Sequence, residues 1–168
     1  MSEDITHFTH IATPLGPLLA VVRDGALVML EFGSGARAPR ASPEWVERPA
    51  DPLLRAAQRQ LDGYFAGRRR GFDLPLRPQG TPFQQLAWQA LQRIPYGETR
   101  SYGEQAAQLG RPGAARAVGA ANGRNPIVIM IPCHRVIGSD GSLTGFAAGL
   151  GRKQHLLRHE GSLPRTLL

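Results

Sequence analysis

The chain holds a single cysteine, Cys133, in 168 residues. One cysteine excludes an intrachain disulfide and any zinc site built from several cysteines. Lysine is as scarce: of 20 Lys+Arg, only Lys153 is a lysine. Long apolar runs are missing too. The run Ile127 to Pro132 is six residues, against about 20 for a membrane-spanning helix. The N-terminus, Met-Ser-Glu-Asp, is acidic and lacks the apolar segment of a secretory signal. These absences predict a cytoplasmic protein with no membrane partner. Acidic residues are also few, 13 Asp+Glu, which leaves a net charge of +7.

What is present is ordinary for a globular fold: 42% hydrophobic and 20% charged residues, too apolar for disorder. The length suits one large domain or two small ones. A pI near 10.9 points to an acidic partner, nucleic acid first. A GC-rich genome, which enriches Arg, Ala, Gly and Pro together, would give the same composition without such a partner.

The first third reads as strands followed by a helix. Thr6 to Ile11, Leu18 to Val22 and Leu27 to Phe32 have strand character, with a hairpin turn at Arg23-Asp-Gly25. Residues 33–50, rich in Gly, Ala, Pro and Ser, are expected to form an exposed loop. Asp51-Pro52 opens a helix whose buried stripe is Leu54, Ala57, Leu61 and Tyr64. Gly67 and Arg68-Arg-Arg70 should end it, the cations favouring that end of the dipole. Phe72 to Leu76 could add a strand. Pro75 to Gly80 reads as a linker, so the expected domains are 1–76 and 77–168.

Beyond it, Thr81 caps a helix with Pro82 at its first position and Gln84 completing a capping box. Its expected apolar face is Phe83, Leu86, Ala87, Ala90, Leu91 and Ile94. Ser101 and Glu104 cap a short second helix ending at Gly110. A third is expected to start at Pro112 and run Gly113 to Ala121, giving a helix-turn-helix. A last helix should span about Leu150 to His159. In the third helix, alanines and a glycine surround Arg116. That composition suits close approach to a groove with one reaching guanidinium, or equally tight packing on a neighbouring helix with Arg116 solvated.

The stretch Ile127 to Ile137 carries the chemistry. Cys133 ends a β-branched apolar run and is followed by His134. A thiol reacts as thiolate, so a nearby base or positive charge must activate it. The alternative is an inert buried cysteine. If the run is extended, the two side chains point apart and would communicate through water.

Pro132-Cys-His-Arg-Val136 resembles the active-site motif of the methylated-DNA–protein-cysteine methyltransferases, the O6-alkylguanine-DNA alkyltransferases. The similarity extends over Thr81-Pro-Phe-Gln, Ile94-Pro-Tyr-Gly-Glu-Thr-Arg-Ser-Tyr102, Ala114-Ala-Arg-Ala-Val-Gly119, Asn125-Pro126 and His159-Glu-Gly161. Thr13-Pro-Leu-Gly16 resembles the family's N-terminal hairpin.

The resemblance implies an α+β protein, with an RNase H-like N-terminal domain and a helical, winged-helix-like DNA-binding domain. It implies a suicidal repair reaction, in which O6-alkylguanine, and O4-alkylthymine as well, is flipped out and its alkyl group moves irreversibly to Cys133. His134 would act as base through a water, oriented by Glu160, and Asn125 would hold the turn before the cysteine. Tyr102, the carbonyls of Cys133 and Val136, the N–H of Ala147, and Ala148 would line the base pocket. Arg116 would fill the vacated stack, with Ala114, Ala115, Gly119 and Ser139 against double-stranded DNA in the minor groove. Some relatives carry serine at the position of Ala147 and glycine at that of Ala148, where the added methyl narrows the pocket. No cofactor is implied, since the product is a thioether, and no metal: His7 and His10 lack cysteine partners, and His155 and His159 lack a third ligand. A monomer without an obligate protein partner is expected. Three competitors lie close by. A lesion-binding relative without chemistry would replace Cys133, a transcription factor would carry polar readers where this third helix has alanines, and a cysteine hydrolase would need an oxyanion site.

Overall fold

The computed structural model describes residues 5–33, 40–146 and 148–163. The chain forms two compact units, Met1–Gln79 and Gly80–Leu168.

The N-terminal unit is built on β1 (His7–Ile11), β2 (Leu18–Arg23), β3 (Ala26–Phe32) and β4 (Val46–Glu47), ordered β3-β2-β1-β4. β1, β2 and β3 pair antiparallel in sequence. The β2–β3 turn places Asp24 at φ 51° and Gly25 at φ 73°, the left-handed pair that matches strand twist in a two-residue hairpin. Residues 33–50 are not simply an exposed loop. β4 pairs parallel with β1, His7 opposite Val46, and Trp45 and Ala41 pack on Phe8, Leu19, Val21 and Val28. The Trp45 ring lies 6.3 Å from Phe8; apolar area of that size gains more from the sheet than from water. Residues 34–39 of the expected loop lie outside the described residues.

Helix α1 (Pro52–Phe65) starts at Asp51, whose carboxylate accepts from the Leu53 and Leu54 N–H groups. Leu54, Ala57, Leu61 and Tyr64 are fully buried. Gly67, at φ 76°, ends the helix in a Schellman motif: Arg68 N–H donates to Gly63 O and Gly67 N–H to Tyr64 O. The expected dipole effect is corrected here, because the arginines follow the helix and its last turn holds no basic residue. The strand expected at Phe72 to Leu76 shrinks to one bridge, Leu27 with Leu76. Pro75 and Pro78 lack the N–H groups a longer ladder needs.

The C-terminal unit comprises α2 (Pro82–Gln92), β5 (Arg100–Ser101), α3 (Tyr102–Gln108), α4 (Ala115–Asn122), a 3-10 turn (Cys133–Arg135), β6 (Val136–Ile137) and α5 (Leu150–His159). Both capping boxes, Thr81/Gln84 and Ser101/Glu104, are formed. Two expectations change. Leu86 is 45% exposed, and Trp88 is buried in its place, donating Nε1–H to Ala121 O at 2.9 Å. Helix α4 begins at Ala115 rather than Pro112, because Gly113 at φ 110° cannot continue a helix. Its buried side is Val118, Ala121 and Asn122. Residues 80–168 hold ten basic and four acidic side chains, against ten and nine in 1–79, so six of the seven surplus positive charges belong to this unit.

Candidate active site

Asn125 organises the approach to the cysteine. Its Oδ1 accepts from Ile127 N–H (3.0 Å), and its Nδ2 donates to Ile131 O (2.7 Å) and to Cys133 Sγ (3.2 Å). The apolar run is therefore not a strand. Residues 128–130 turn, Ile129 sits at φ 72°, and Cys133–Arg135 forms a 3-10 turn. A β-branched residue in the left-handed region is strained; the backbone bond from Ile131 N–H to Ile127 O (3.0 Å) closes that turn and the Asn125 side chain braces both of its ends.

Cys133 and His134 are buried. His134 Nε2 lies 2.9 Å from Glu160 Oε2. Burial pushes the Glu160 carboxyl up, but hydrogen bonds and charge from His134 and Arg135 outweigh it and hold it down at about 2. A carboxylate only accepts, so Nε2 carries the hydrogen and Nδ1 is the basic nitrogen. Nδ1 is buried without a protein hydrogen-bond partner among the described residues. Burial lowers the proton affinity of His134, against the opposing pull of Glu160.

Two further cations stand here that the sequence reading did not single out. Arg135 donates Nε–H to Glu160 Oε1 (2.8 Å), Nη2–H to Glu160 Oε2 (3.0 Å) and Nη1–H to Ile94 O (2.7 Å). Lys153 is fully buried, donating Nζ–H to Val136 O (2.5 Å) and Thr144 O (2.7 Å). Burial pulls its pKa down to about 8, opposed by attraction to Cys133. A lone lysine among 19 arginines was the available signal: a buried, tunable ammonium is something arginine cannot supply.

Tyr102 opens α3 and donates its hydroxyl to Thr144 O at 2.9 Å, the carbonyl that Lys153 also holds. The Lys153 ammonium is 5.8 Å from the Tyr102 ring centre. Burial pushes the phenol up, the Thr144 hydrogen bond pulls it down, and the Cys133 charge adds to the rise. Gly145, at φ 68°, must lack a side chain, since a Cβ there would lie 2.8 Å from the Tyr102 hydroxyl. The carbonyls expected to read the base are both engaged, Cys133 O by Val136 N–H and Val136 O by Lys153; each keeps a second lone pair. Ala148 is half-buried and its carbonyl accepts from Arg152. Ala147 lies outside the described residues.

Thus Asn125, Cys133, His134 and Glu160 form one connected cluster, with Tyr102 joined to Lys153 and Val136 through the Thr144 carbonyl. The expected DNA-facing residues are not part of it. Arg116 is exposed on α4, Ala114 and Ala115 are half-buried at its start, and Ser139 is exposed in a turn closed by Gly138 N–H on Ser142 O. Gly119 abuts the Tyr102 ring, where a Cβ would sit at 3.6 Å. Among the described residues, no group of three or more His, Cys, Asp or Glu could hold a metal ion, and no helix is long and apolar enough to cross a membrane.

Known proteins resemble this chain along nearly its whole length. Residues 82–162 match the family described as 6-O-methylguanine DNA methyltransferase, DNA binding domain, and residues 6–78 its ribonuclease-like domain. A methylated-DNA–protein-cysteine methyltransferase of Methanosarcina acetivorans is 48% identical over 93% of this chain and 99% of its own length. Its namesake in Mycobacterium tuberculosis is 49% identical over 93% of each. The structure of Mycobacterium tuberculosis OGT in complex with DNA superposes with a TM-score of 0.86 at 48% identity, covering 93% of both chains. With its ribonuclease-like and DNA-binding domains in that order, the chain belongs to the 6-O-methylguanine DNA methyltransferase family, whose members are methylated-DNA–protein-cysteine methyltransferases.

Proposed function

We propose that this protein repairs double-stranded DNA by moving the alkyl group of O6-alkylguanine, and of O4-alkylthymine, onto Cys133. The observation that carries the reading is the buried His134–Glu160 pair beside Cys133, with Nδ1 left as an acceptor. The thiol proton passes through a water to Nδ1, and Glu160 stabilises the imidazolium. The thiolate attacks the alkyl carbon. The sulfur–carbon bond forms as the carbon–oxygen bond breaks, and its electron pair leaves with the base. The base takes its proton from the Tyr102 hydroxyl, which turns from the Thr144 carbonyl to give it and is restored from solvent. No cofactor enters, and the thioether is not hydrolysed, so each molecule acts once.

A buried sulfur cannot reach a stacked base, so the damaged nucleotide must leave the duplex. Exposed Arg116, on the alanine-rich face of α4, enters the minor groove and fills the gap, with Ala114, Ala115, Gly119 and Ser139 along the same interface. The positive surplus of residues 80–168 supplies phosphate affinity. The protein works as a cytoplasmic monomer of two domains. Incubation with a duplex containing O6-methylguanine, followed by intact-mass measurement, should add one methyl to Cys133 and stop at one equivalent. Repeated turnover, or methylation elsewhere, would overturn the reading.

A further inference from the structure

Three segments far apart in sequence meet at the Glu160 carboxylate. The Ile94-to-Gly97 turn supplies the Ile94 carbonyl and the Tyr96 ring, which lies 5.8 Å from the Arg135 guanidinium. The Tyr96 hydroxyl donates to His159 O at 3.2 Å, fixing the end of α5. Gly97, at φ 85°, lets this turn approach Glu160 O, which a Cβ would meet at 3.3 Å. The Cys133–Arg135 turn supplies the guanidinium itself.

We propose that Arg135 is a positioning residue for the alkyl transfer: its fork clamps Glu160 so that His134 stays neutral, with the hydrogen on Nε2 and Nδ1 free to take the thiol proton. The inference rests on the alkyl-transfer reading above. Both carboxylate oxygens are held, Oε1 by Nε–H and Oε2 by Nη2–H together with His134. The carboxylate therefore cannot rotate away from the imidazole. Charge acts in the same direction. Glu160 favours a second proton on His134, which burial opposes first and the neighbouring cations oppose with it. Facing His134 are Glu160 and Lys153 from α5 and its end, and Cys133 and Arg135 from its own turn; Arg135 and Lys153 oppose protonation while Glu160 favours it. The Arg135 charge thus works with burial against what Glu160 adds at the imidazole. It also explains why a nearly buried arginine is tolerated, since every nitrogen is bonded to Glu160 or Ile94.

The test uses the full chain and free O6-benzylguanine, so that DNA binding does not enter. Single-turnover benzyl transfer is followed from pH 5 to 9 for the unmodified protein, Arg135→Gln and Arg135→Lys. Arg135→Gln should move the acid limb up by roughly one to three pH units and recover most of its rate at alkaline pH. Arg135→Lys, which keeps the charge and loses the fork, should keep the limb and lower the plateau. A loss by one factor at all pH values in both variants would make Arg135 a purely structural residue and overturn the proposal, as would unchanged profiles. Should Arg135→Gln not fold, nitrogen NMR of His134 in the unmodified protein decides: a neutral Nε2–H tautomer at pH 7 supports the proposal, and an imidazolium or the other tautomer sinks it. If that tautomer is seen but no benzyl group is transferred, the alkyl-transfer reading fails while the Arg135–His134 coupling stands.

Discussion

Gln105 and Asn122 hold each other by two amide hydrogen bonds inside the C-terminal unit, Gln105 Nε2 to Asn122 Oδ1 at 3.0 Å and Asn122 Nδ2 to Gln105 Oε1 at 2.8 Å. Both side chains are buried, and Gln105 Nε2 also reaches Ala87 O at 3.2 Å. The pair ties α3, which begins with Tyr102, to α4, which carries Arg116, and both to α2. Replacing one partner strands the other amide in the core. Gln105→Leu or Asn122→Leu should each cost about 1–3 kcal/mol, and the double replacement should cost less than the sum. Urea unfolding of the four proteins checks this; strictly additive losses would mean the pair is not a unit.

Arg116→Ala separates flipping from chemistry. Arg116 is exposed and outside the Cys133 cluster, so its loss should slow repair of duplex O6-methylguanine by at least tenfold, on the scale of one lost unstacking contact of a few kcal/mol, and leave transfer from free O6-benzylguanine within about twofold, as for a surface change away from the site. Parallel single-turnover rates on the two substrates provide the measurement. Equal losses on both would give Arg116 a structural role.

Acid should destabilise the protein through Glu160 and His134. The Glu160 carboxyl falls from an ordinary 4.5 to about 2 in the fold. A depressed carboxyl stabilises above its unfolded pKa, and the contribution disappears as pH falls from about 4.5 towards 2. The shift corresponds to a contribution on the order of 3 kcal/mol. His134, whose proton affinity burial lowers, adds to the loss below its ordinary 6.5, where the unfolded chain takes up the proton more readily than the folded one. Glu160→Gln should flatten the lower part of this decline. Unfolding free energies measured between pH 3 and 7 would show it.

Local rules made much of this legible. The Asp24-Gly25 turn, the caps at Asp51, Thr81 and Ser101, and α5 follow from residue chemistry that acts within one turn of chain. What escaped depends on partners distant in sequence. Leu86 and Trp88 both border the Ala87/Ala90/Leu91 stripe, and only the Trp88 hydrogen bond to Ala121 O decides which turns inward. The segment containing Trp45 reads as loop because its partner sheet precedes it by more than ten residues. The apolar run before Cys133 has strand composition, yet Asn125 folds it into a turn by three side-chain bonds. Cys133 and His134 were visible as adjacent letters, whereas the Arg135 and Lys153 hydrogen bonds exist only once α5 has packed.

Lys153→Met tests the buried ammonium. Lys153 and the Cys133 thiolate attract each other, so losing the charge should make the thiolate harder to form. The reaction of Cys133 with iodoacetamide should slow at pH 7 by roughly tenfold or more and shift to higher pH, about one pKa unit for a neighbouring charge. Lys153→Arg, which cannot fit the same two carbonyls as a point donor, should not restore it. A profile unchanged in Lys153→Met would confine Lys153 to holding the Val136 and Thr144 carbonyls.

Alkylation itself should weaken the fold. Cys133 is 7% exposed, and its sulfur accepts the Asn125 amide at 3.2 Å. After transfer the base departs, but the methyl stays on sulfur inside a packed site. Overpacking by one carbon costs about 1–3 kcal/mol. The methyl also crowds the Asn125 amide, and that same amide closes the Ile131 carbonyl and keeps the turn containing Ile129, at φ 72°. Loosening Asn125 would leave the strained turn to its backbone bonds alone, Ile131 N–H to Ile127 O at 3.0 Å and Met130 N–H to Val128 O at 2.8 Å. The methylated form should therefore melt lower than the unmodified protein, by roughly 2–10 °C for a change of that size. Larger alkyl groups should lower it further, because the half-buried Ala148 leaves less room than glycine would. Thermal melts of the unmodified, methylated and benzylated forms give the order directly. An unchanged or raised melting temperature after methylation would show that the site accommodates the product without strain, and the Asn125 turn would then have to be rigid independently of the sulfur it holds.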